Sequence, residues 1–158
     1  MTSSAERAAI LVRALHSSID GSSKFEEVYT DDIKAWTPAL STSSLTELKA
    51  EFDRRDDAFS AVDLDVRPFI VAGDYACAEW TISMTHTGPL TVADGLTIEP
   101  SGVEVTFNGM TVAEFRGEQI CALRQYWDEL SVYEQIGLFP GEATSDEGQR
   151  QRGRAAYP

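Results

Sequence analysis

The segment ICALRQYWDEL, residues 120–130, contains Gln125, Trp127 and Asp128, side chains that could bind a small molecule or move its protons. Gln125 can hydrogen-bond to a carbonyl or hydroxyl oxygen, although an amide cannot take up a proton. Asp128 can take up a proton and return it. His86 ends an earlier strand-like alternation, and an imidazole titrates near neutral pH. Gln125, Asp128 and His86 are the candidate catalytic residues.

Each candidate also has a purely structural explanation. Asp128 comes just before a helical pattern, and aspartate is a favoured N-cap residue. His86 could hydrogen-bond to the loop that follows it, and a buried Gln125 would need partners in any case. The sequence leaves open whether each residue acts on a ligand or on the fold. It also leaves open whether Asp128 or Gln125 faces a pocket.

Apolar residues at helical spacing predict helices at both ends of the chain. The first helix covers residues 5–19, a short second helix lies in SKFEEVY, and a third lies in STSSLTELKAEFDRRDDAFSAV, which opens with N-cap residues. Asp31 and Asp32, between the second and third helices, are expected to turn the chain. A final short helix in DELSVYEQIG would begin after Asp128 and end at Gly137.

Residues 65–128 have the composition and alternation of strands, which predicts an antiparallel, meandering sheet. Helices first and a curved sheet afterwards indicate an α+β fold. We expect a conical, strongly curved antiparallel or mixed sheet that the N-terminal helices cover, with a cavity at its open end. A single domain would cover residues 1–140, and residues 141–158 would form a disordered tail because they contain few apolar side chains.

Alternation along the strands predicts which side chains face the helices. With this assignment of faces, aromatic and apolar side chains line the cavity, together with a few polar groups. A bulge in the last strand would reverse the faces assigned to its side chains. Asp56 shares the apolar stripe of the third helix, but a shift of one position exposes it. The predicted substrate-binding residues are Trp36, Thr37, Phe52, Asp56, Trp80, Ile82, Met84, Phe107, Thr111, Leu123 and Trp127.

Composition excludes several kinds of partner. A formal charge of −13 repels phosphate backbones, so we expect no nucleic acid and favour a small hydrophobic molecule. The sequence has no run of 18 apolar residues, so we expect no membrane association, and its first residues do not resemble a signal peptide. These features predict a cytoplasmic protein.

The sequence contains few residues that could bind a metal or form a disulfide. Cys77 and Cys121 fit no metal spacing, and alternation places Cys77 on the outward face and Cys121 on the inward one. We therefore expect two separate thiols. The chain has two histidines and no paired ligand motif, so we expect no metal and no cofactor.

Three stretches of the chain together resemble a known family. They are VDLDVRPFIVAGDYACAEWTISMTHTGPL, the PSG turn, and VAEFRGEQICALRQYWDELSVYEQIGL. They resemble the SnoaL-like branch of the nuclear transport factor two-like superfamily, over residues 5–139. The resemblance implies a helix-covered conical sheet. The superfamily includes polyketide cyclases, limonene-epoxide hydrolases, ketosteroid isomerases, scytalone dehydratases and binding proteins without chemistry, so the fold alone does not give the function.

This sequence lacks the catalytic residues that several mechanisms of the superfamily require. Thr37 stands where a ketosteroid isomerase has its general-base Asp, and Thr111 stands where it has its oxyanion-hole Asp. A threonine is not a base at neutral pH. The Arg-x-Asp pattern of limonene-epoxide hydrolases aligns with the segment from Gly109 to Thr111, and their second Asp aligns with Gln125. SnoaL-like cyclases use an Asp in the final strand for acid/base work, and that Asp aligns with Gln125 or Asp128.

The residues and the resemblance favour a cofactor-independent enzyme of secondary metabolism. It would close or isomerise a ring by proton transfer on a hydrophobic, carbonyl-bearing or polyketide-like substrate. His86 or Asp128 would move the proton, and Gln125 with Thr111 would orient an oxygen. The alternatives are a non-catalytic protein that binds a hydrophobic metabolite and, third, an epoxide-hydrolase-like enzyme. The outer sheet face, which includes Met110, resembles the dimer surface of the superfamily, so we expect a homodimer.

Overall fold

A computed structural model describes residues 2–20, 24–92 and 95–138. The predicted α+β fold is confirmed, with a curved, open sheet and helices that pack on it. The helices are α1 (Ser4–Asp20), α2 (Phe25–Val28), α3 (Leu45–Ala58) and α4 (Glu129–Gln135). The strands are β1 (Tyr29–Trp36), β2 (Ser41–Thr42), β3 (Phe59–Ala72), β4 (Tyr75–His86), β5 (Leu90–Thr91), β6 (Thr97–Ile98), β7 (Glu104–Arg116) and β8 (Gln119–Trp127).

The main sheet has six strands in the order β2-β1-β8-β7-β4-β3. The strand pairs are antiparallel except that β1 runs parallel to β8. The antiparallel meander predicted for residues 65–128 is confirmed in β3, β4, β7 and β8, and the addition of β1 makes the whole sheet mixed. Asp31 and Asp32 lie inside β1 rather than in a turn. A strand accommodates them because Ile33 is buried while both aspartates are exposed, and Asp32 pairs with Arg116 of β7 at 3.0 Å.

Bulges in β3 and β8 interrupt the regular pairing of the sheet. The register shifts twice between β3 and β4, and one shift, between Ser60 and Asp63, includes Ala61, which has a φ of 51°. A third shift lies between β7 and β8, where Phe115 pairs with Ile120 but Glu114 pairs with Ala122. Cys121 is the extra residue, and it lies on the outer face of the sheet. The inward placement of Cys121 is therefore wrong, because the bulge shifts the alternation there.

The helices cover the concave face of the sheet. Helix α1 packs on β3 and β4, and helix α3 packs on β1. Leu11 and Leu15 of α1 belong to the same hydrophobic core as Leu45 and Leu48 of α3. Helix α3 begins at the predicted kind of N-cap: Ser44 Oγ accepts a hydrogen bond from the backbone N–H of Glu47 at 3.2 Å. These contacts fix the two helices over the sheet.

The connection between β4 and β7 adds a small second sheet to the fold. Strands β5 and β6 form a separate two-stranded sheet in the connection between β4 and β7. The predicted disordered tail, residues 141–158, lies outside the described residues. No helix in the described part of the chain combines the length and apolar character needed to cross a membrane.

Candidate functional site

A cavity of about 790 Å³ lies between the concave face of the sheet and helices α1, α3 and α4. Its volume is in the range that holds a small organic ligand. Most of the lining side chains are apolar. They include Leu15, Ile19, Leu48, Phe52, Phe59, Leu64, Trp80, Ile82, Met84, Phe107, Leu123, Trp127 and Val132.

Three aromatic rings form the floor of the cavity. The ring centroids of Trp80 and Phe107 are 5.9 Å apart, those of Trp80 and Trp127 are 6.1 Å apart, and those of Phe107 and Trp127 are 6.3 Å apart. Gly109 pairs with Trp80 in one neighbouring strand and with Trp127 in the other. A Cβ at Gly109 would overlap the indole of Trp80. The absence of a side chain there allows the indole to lie flat against β7.

A short chain of hydrogen bonds crosses the sheet behind this floor. The indole Nε1–H of Trp80 donates to Thr111 Oγ1 at 2.9 Å, and Gln125 Nε2 donates to the same oxygen at 3.2 Å. Thr111 is fully buried and does not line the cavity, whereas Gln125 does. Gln125 Oε1 accepts no hydrogen bond from the described residues. Thr111 therefore holds the amide of Gln125, which keeps an acceptor for a ligand.

His86 lies at the inner end of β4 but is not part of the cavity lining. Its side chain is 0% exposed and packs against the ring of Phe59, with the centroids 5.3 Å apart. Its Nδ1 accepts the backbone N–H of Ser101 at 3.1 Å, which places the proton of the neutral ring on Nε2. Burial lowers the pKa of His86. The surroundings therefore favour a neutral imidazole that anchors the loop after β6.

Asp128 also lies outside the cavity lining. It is the N-cap of α4, and its Oδ1 accepts the backbone N–H of Ser131 at 3.1 Å. The cap predicted from sequence is thus present. Asp128 fixes the first turn of the helix, and its own side chain is exposed.

Residues 10–136 match the family model described as SnoaL-like polyketide cyclase. The chain belongs to this family. The family predicted from the three sequence stretches is confirmed. No protein of curated function matches the chain.

Solved structures share the SnoaL-like fold at low sequence identity. AclR, a candidate hydroxylase from Streptomyces galilaeus, is 16% identical, with a TM-score of 0.75 over 96% of this chain and 92% of that one. A candidate SnoaL-like polyketide cyclase from Jannaschia sp. CCS1 is 17% identical, with a TM-score of 0.74 over 86% and 94%. IdmH, a candidate polyketide cyclase from Streptomyces antibioticus, is 13% identical, with a TM-score of 0.68 over 83% and 98%. At such identities the likeness shows the fold alone.

The two positions at which the resemblance led us to expect the final-strand Asp of the cyclases, Gln125 and Asp128, lie in different surroundings. Leu123, Gln125 and Trp127 line the cavity, as the predicted phase of β8 requires. Asp128 follows the strand and turns to the helix. The position that faces the cavity therefore carries an amide and not a carboxylate.

Most of the other predicted substrate-binding residues line the cavity. The lining includes Thr37, Phe52, Trp80, Ile82, Met84 and Phe107. Trp36 does not: it is 43% exposed on the outer face, where its ring lies 5.2 Å from that of Tyr126. The reason is alternation in β1, where Ala35 is buried and its neighbour points to the other side.

Asp56 does not line the cavity either. It is exposed and pairs with Arg55 at 2.6 Å. Arg55 itself reaches the cavity, lies 5.4 Å from the ring centroid of Phe52, and donates to the carbonyl oxygen of Ser18 at 2.5 Å. Helix α3 keeps Leu48 and Phe52 in the lining as predicted, adds Glu51, Arg54 and Asp57 to it, and leaves Asp56 outside.

Sequence reasoning also missed a hydrogen-bonded polar pair of the lining, Glu129 and Tyr133. The hydroxyl of Tyr133 donates to Glu129 Oε1 at 2.7 Å. Their spacing of four places them on one face of α4, next to the buried Val132 and Ile136. Helical periodicity within DELSVYEQIG was the signal that could have identified them.

Proposed function

We propose that this SnoaL-like protein binds a hydrophobic, carbonyl-bearing or polyketide-like molecule and closes or isomerises a ring in it by proton transfer, without a cofactor. The observation that carries the proposal is an aromatic cavity whose wall contains an amide, Gln125, held by a buried hydroxyl, Thr111. Apolar rings favour a flat, hydrophobic ligand, and one fixed amide can orient one oxygen of it.

The hydrogen-bonding capacity of Thr111 suits a substrate with keto and enol forms. Its oxygen accepts the indole N–H of Trp80. It can also accept from the amide nitrogen of Gln125 or, after a 180° rotation of that amide, donate to the amide oxygen. Gln125 can thus present an acceptor to an enol or a donor to a carbonyl. A donor that faces a developing enolate oxygen lowers the barrier for removal of a proton from the neighbouring carbon.

We assign supporting roles to His86 and Asp128 in this reaction. A group that moves a proton must be within hydrogen-bond reach of the substrate or connected to it through one water. His86 is fully buried behind Phe59, and Asp128 lies outside the lining and caps α4. His86 would keep the end of β4 in place, and Asp128 would keep α4 in place.

A binding protein without chemistry is the second candidate, and the amide at position 125 favours it. The cyclases of the family use a carboxylate in the final strand, and an amide cannot take that role. In this alternative the same cavity and the same amide hold a hydrophobic metabolite, and no bond changes.

The two candidates can be separated with 2-tetralone, a bicyclic ketone with exchangeable protons beside its carbonyl group. Binding is measured as quenching of tryptophan fluorescence in the Trp36→Phe variant, because the remaining tryptophans, Trp80 and Trp127, both line the cavity. Turnover is measured as replacement of those protons by deuterium in D₂O, followed by NMR. We expect binding and accelerated exchange. Binding without exchange would favour the binding protein, and the absence of both would contradict the proposal.

A matched pair of variants tests the role of the amide. Gln125→Ala should weaken 2-tetralone binding about fivefold, on the order of 1 kcal/mol, because one hydrogen bond is lost. Asn108→Ala removes an amide from the outer face of β7, where Asn108 Oδ1 accepts from Thr81 Oγ1, and should leave the affinity unchanged. Equal effects of the two variants would show that Gln125 does not contact the ketone.

A further inference from the structure

Helix α4 places a carboxylate and a phenol side by side on the cavity wall. Glu129 and Tyr133 both line the cavity, and the hydroxyl of Tyr133 donates to Glu129 Oε1 at 2.7 Å. Burial raises the pKa of Tyr133, and its hydrogen bond to Glu129 adds to the shift. The phenol therefore stays protonated and holds one carboxylate oxygen.

Glu129 differs from the other carboxylates of the lining. Glu51 is neutralised by an ion pair with Arg54, and Asp57 is exposed at the end of α3. Glu129 is half-buried, and no Lys, Arg or His among the described residues forms an ion pair with it. Its Oε2 accepts no hydrogen bond from those residues. One oxygen is thus held, and the other is free to meet a ligand.

The helix that carries this pair is fixed at both ends. Asp128 caps its first turn through the backbone N–H of Ser131. At the other end, Gln135 Oε1 accepts the backbone N–H of Thr106 at 3.0 Å, and Gln135 Nε2 donates to the carbonyl oxygen of Thr106 at 3.2 Å. Glu129 therefore sits on a helix docked to β7, and a fixed position is what a proton acceptor needs.

We propose that Glu129 is the catalytic group that takes up and returns the proton in this cavity, and that Tyr133 is its positioning residue. The inference rests on the proposed function and supplies the carboxylate that position 125 lacks. Gln125 precedes Glu129 by four residues, and both line the same cavity. The amide would hold the oxygen of the substrate, and the carboxylate would act on the neighbouring carbon.

The reaction balances without any further reagent. Glu129 Oε2 takes the proton from the carbon beside the carbonyl group, and the C–H electron pair forms the C=C bond of an enolate. The carbonyl π pair moves to oxygen, where the amide of Gln125 donates a hydrogen bond. In an isomerisation, the resulting carboxylic acid returns the proton to another carbon of the enolate. In a ring closure, the enolate carbon attacks a second carbonyl carbon, and the acid gives its proton to the alkoxide formed.

The test compares Glu129→Gln with Glu134→Gln, which changes an exposed carboxylate on the same helix. Both variants should bind 2-tetralone within twofold of the wild-type affinity. Glu129→Gln should slow deuterium exchange at saturating ketone by 100-fold or more, since an isosteric amide cannot take up a proton. Glu134→Gln should exchange at the wild-type rate. Tyr133→Phe should lower the saturated rate about tenfold and leave the affinity unchanged, as expected of a positioning residue.

Chemical rescue separates the loss of the carboxylate from a loss of folding, because a misfolded variant would not regain activity when a small carboxylate is added. In Glu129→Ala, added formate should restore exchange, because a free carboxylate can enter the space that the side chain leaves, and it should not accelerate the wild-type protein. If the wild type exchanges and Glu129→Gln exchanges equally fast, the assignment to Glu129 is overturned and the proposed function stands. If the wild type binds 2-tetralone without exchange, both the catalytic part of the proposed function and the assignment are overturned.

Discussion

The two faces of the sheet contain the same kind of polar pair in opposite surroundings. On the inner face, Gln125 donates to the hydroxyl of Thr111 at 3.2 Å, among buried rings. On the outer face, the hydroxyl of Thr81 donates to Asn108 Oδ1 at 2.7 Å, where water competes for both groups. The inner pair is in an environment of low dielectric, in which a hydrogen bond is stronger and an unpaired group costs more. We therefore expect removal of the threonine–amide pair to lower stability on the inner face and to change it little on the outer face.

The largest effect is expected at Gly109, where the inner face has no room for a side chain. Gly109→Ala should lower the free energy of unfolding by roughly 3 kcal/mol, because the new Cβ overlaps the indole of Trp80 and forces it to move. Met110→Ala, one residue away and exposed on the outer face, should change it by less than about 0.5 kcal/mol. Urea denaturation measures both. A Gly109→Ala protein as stable as the wild type would contradict the described packing of Trp80.

The next largest effect is expected at Thr111. Thr111→Val should lower the free energy of unfolding by about 2 kcal/mol, because the indole N–H of Trp80 loses its buried acceptor. Thr81→Val on the outer face should cost less than about 0.5 kcal/mol. The two variants are compared at one protein concentration, since a homodimer through the outer face would make stability depend on concentration. Equal decreases in the free energy of unfolding of the two variants would contradict the difference between the two faces.

Asp128 should behave as a helix cap. Asp128→Ala should lower the free energy of unfolding by about 1 kcal/mol, because the backbone N–H of Ser131 loses its acceptor. Asp128→Asn should be close to wild type, because asparagine caps about as well. If Asp128→Asn folds normally but loses deuterium exchange by 100-fold, Asp128 and not Glu129 moves the proton.

The smallest effect concerns the pH dependence that His86 gives to stability. Burial lowers the pKa of His86 in the folded protein below the value near 6.5 that it has when unfolded. The unfolded chain therefore binds more protons in this range, and the free energy of unfolding should fall as the pH is lowered from 7 to 6. His86→Gln should flatten this part of the profile. A stability that rises as the pH is lowered from 7 to 6 would show that the folded protein favours the imidazolium form.

The sequence predicted the inner face well because that face obeys a period of two. In β4, β7 and β8, alternate residues such as Trp80, Phe107 and Gln125 line the cavity as expected. The predicted face of Cys121 was wrong because one extra residue in a bulge reverses the alternation. No residue type in the sequence marks the position of that bulge. The parallel pairing of β1 with β8 joins segments about ninety residues apart, and such pairing leaves no local signal.

The polar part of the site was harder to predict than its apolar part. His86 has the residue type and the phase of a proton shuttle, but Phe59 and the loop at Ser101 cover it. Glu129 and Tyr133 lie on a short helix whose orientation depends on its docking to β7 through Gln135. Local spacing gives the face that two helical residues share, but packing decides which way that face points.

The central claim is that the inner face, through Gln125, holds a hydrophobic carbonyl compound. A crystal structure of the protein with 2-tetralone tests it most directly. The predicted result is a ketone that packs against Trp80, Phe107 and Trp127, with its oxygen about 2.7 to 3.2 Å from the side-chain amide of Gln125. A ketone bound on the outer face beside Trp36, or one whose oxygen points away from Gln125 toward Arg55, would contradict it.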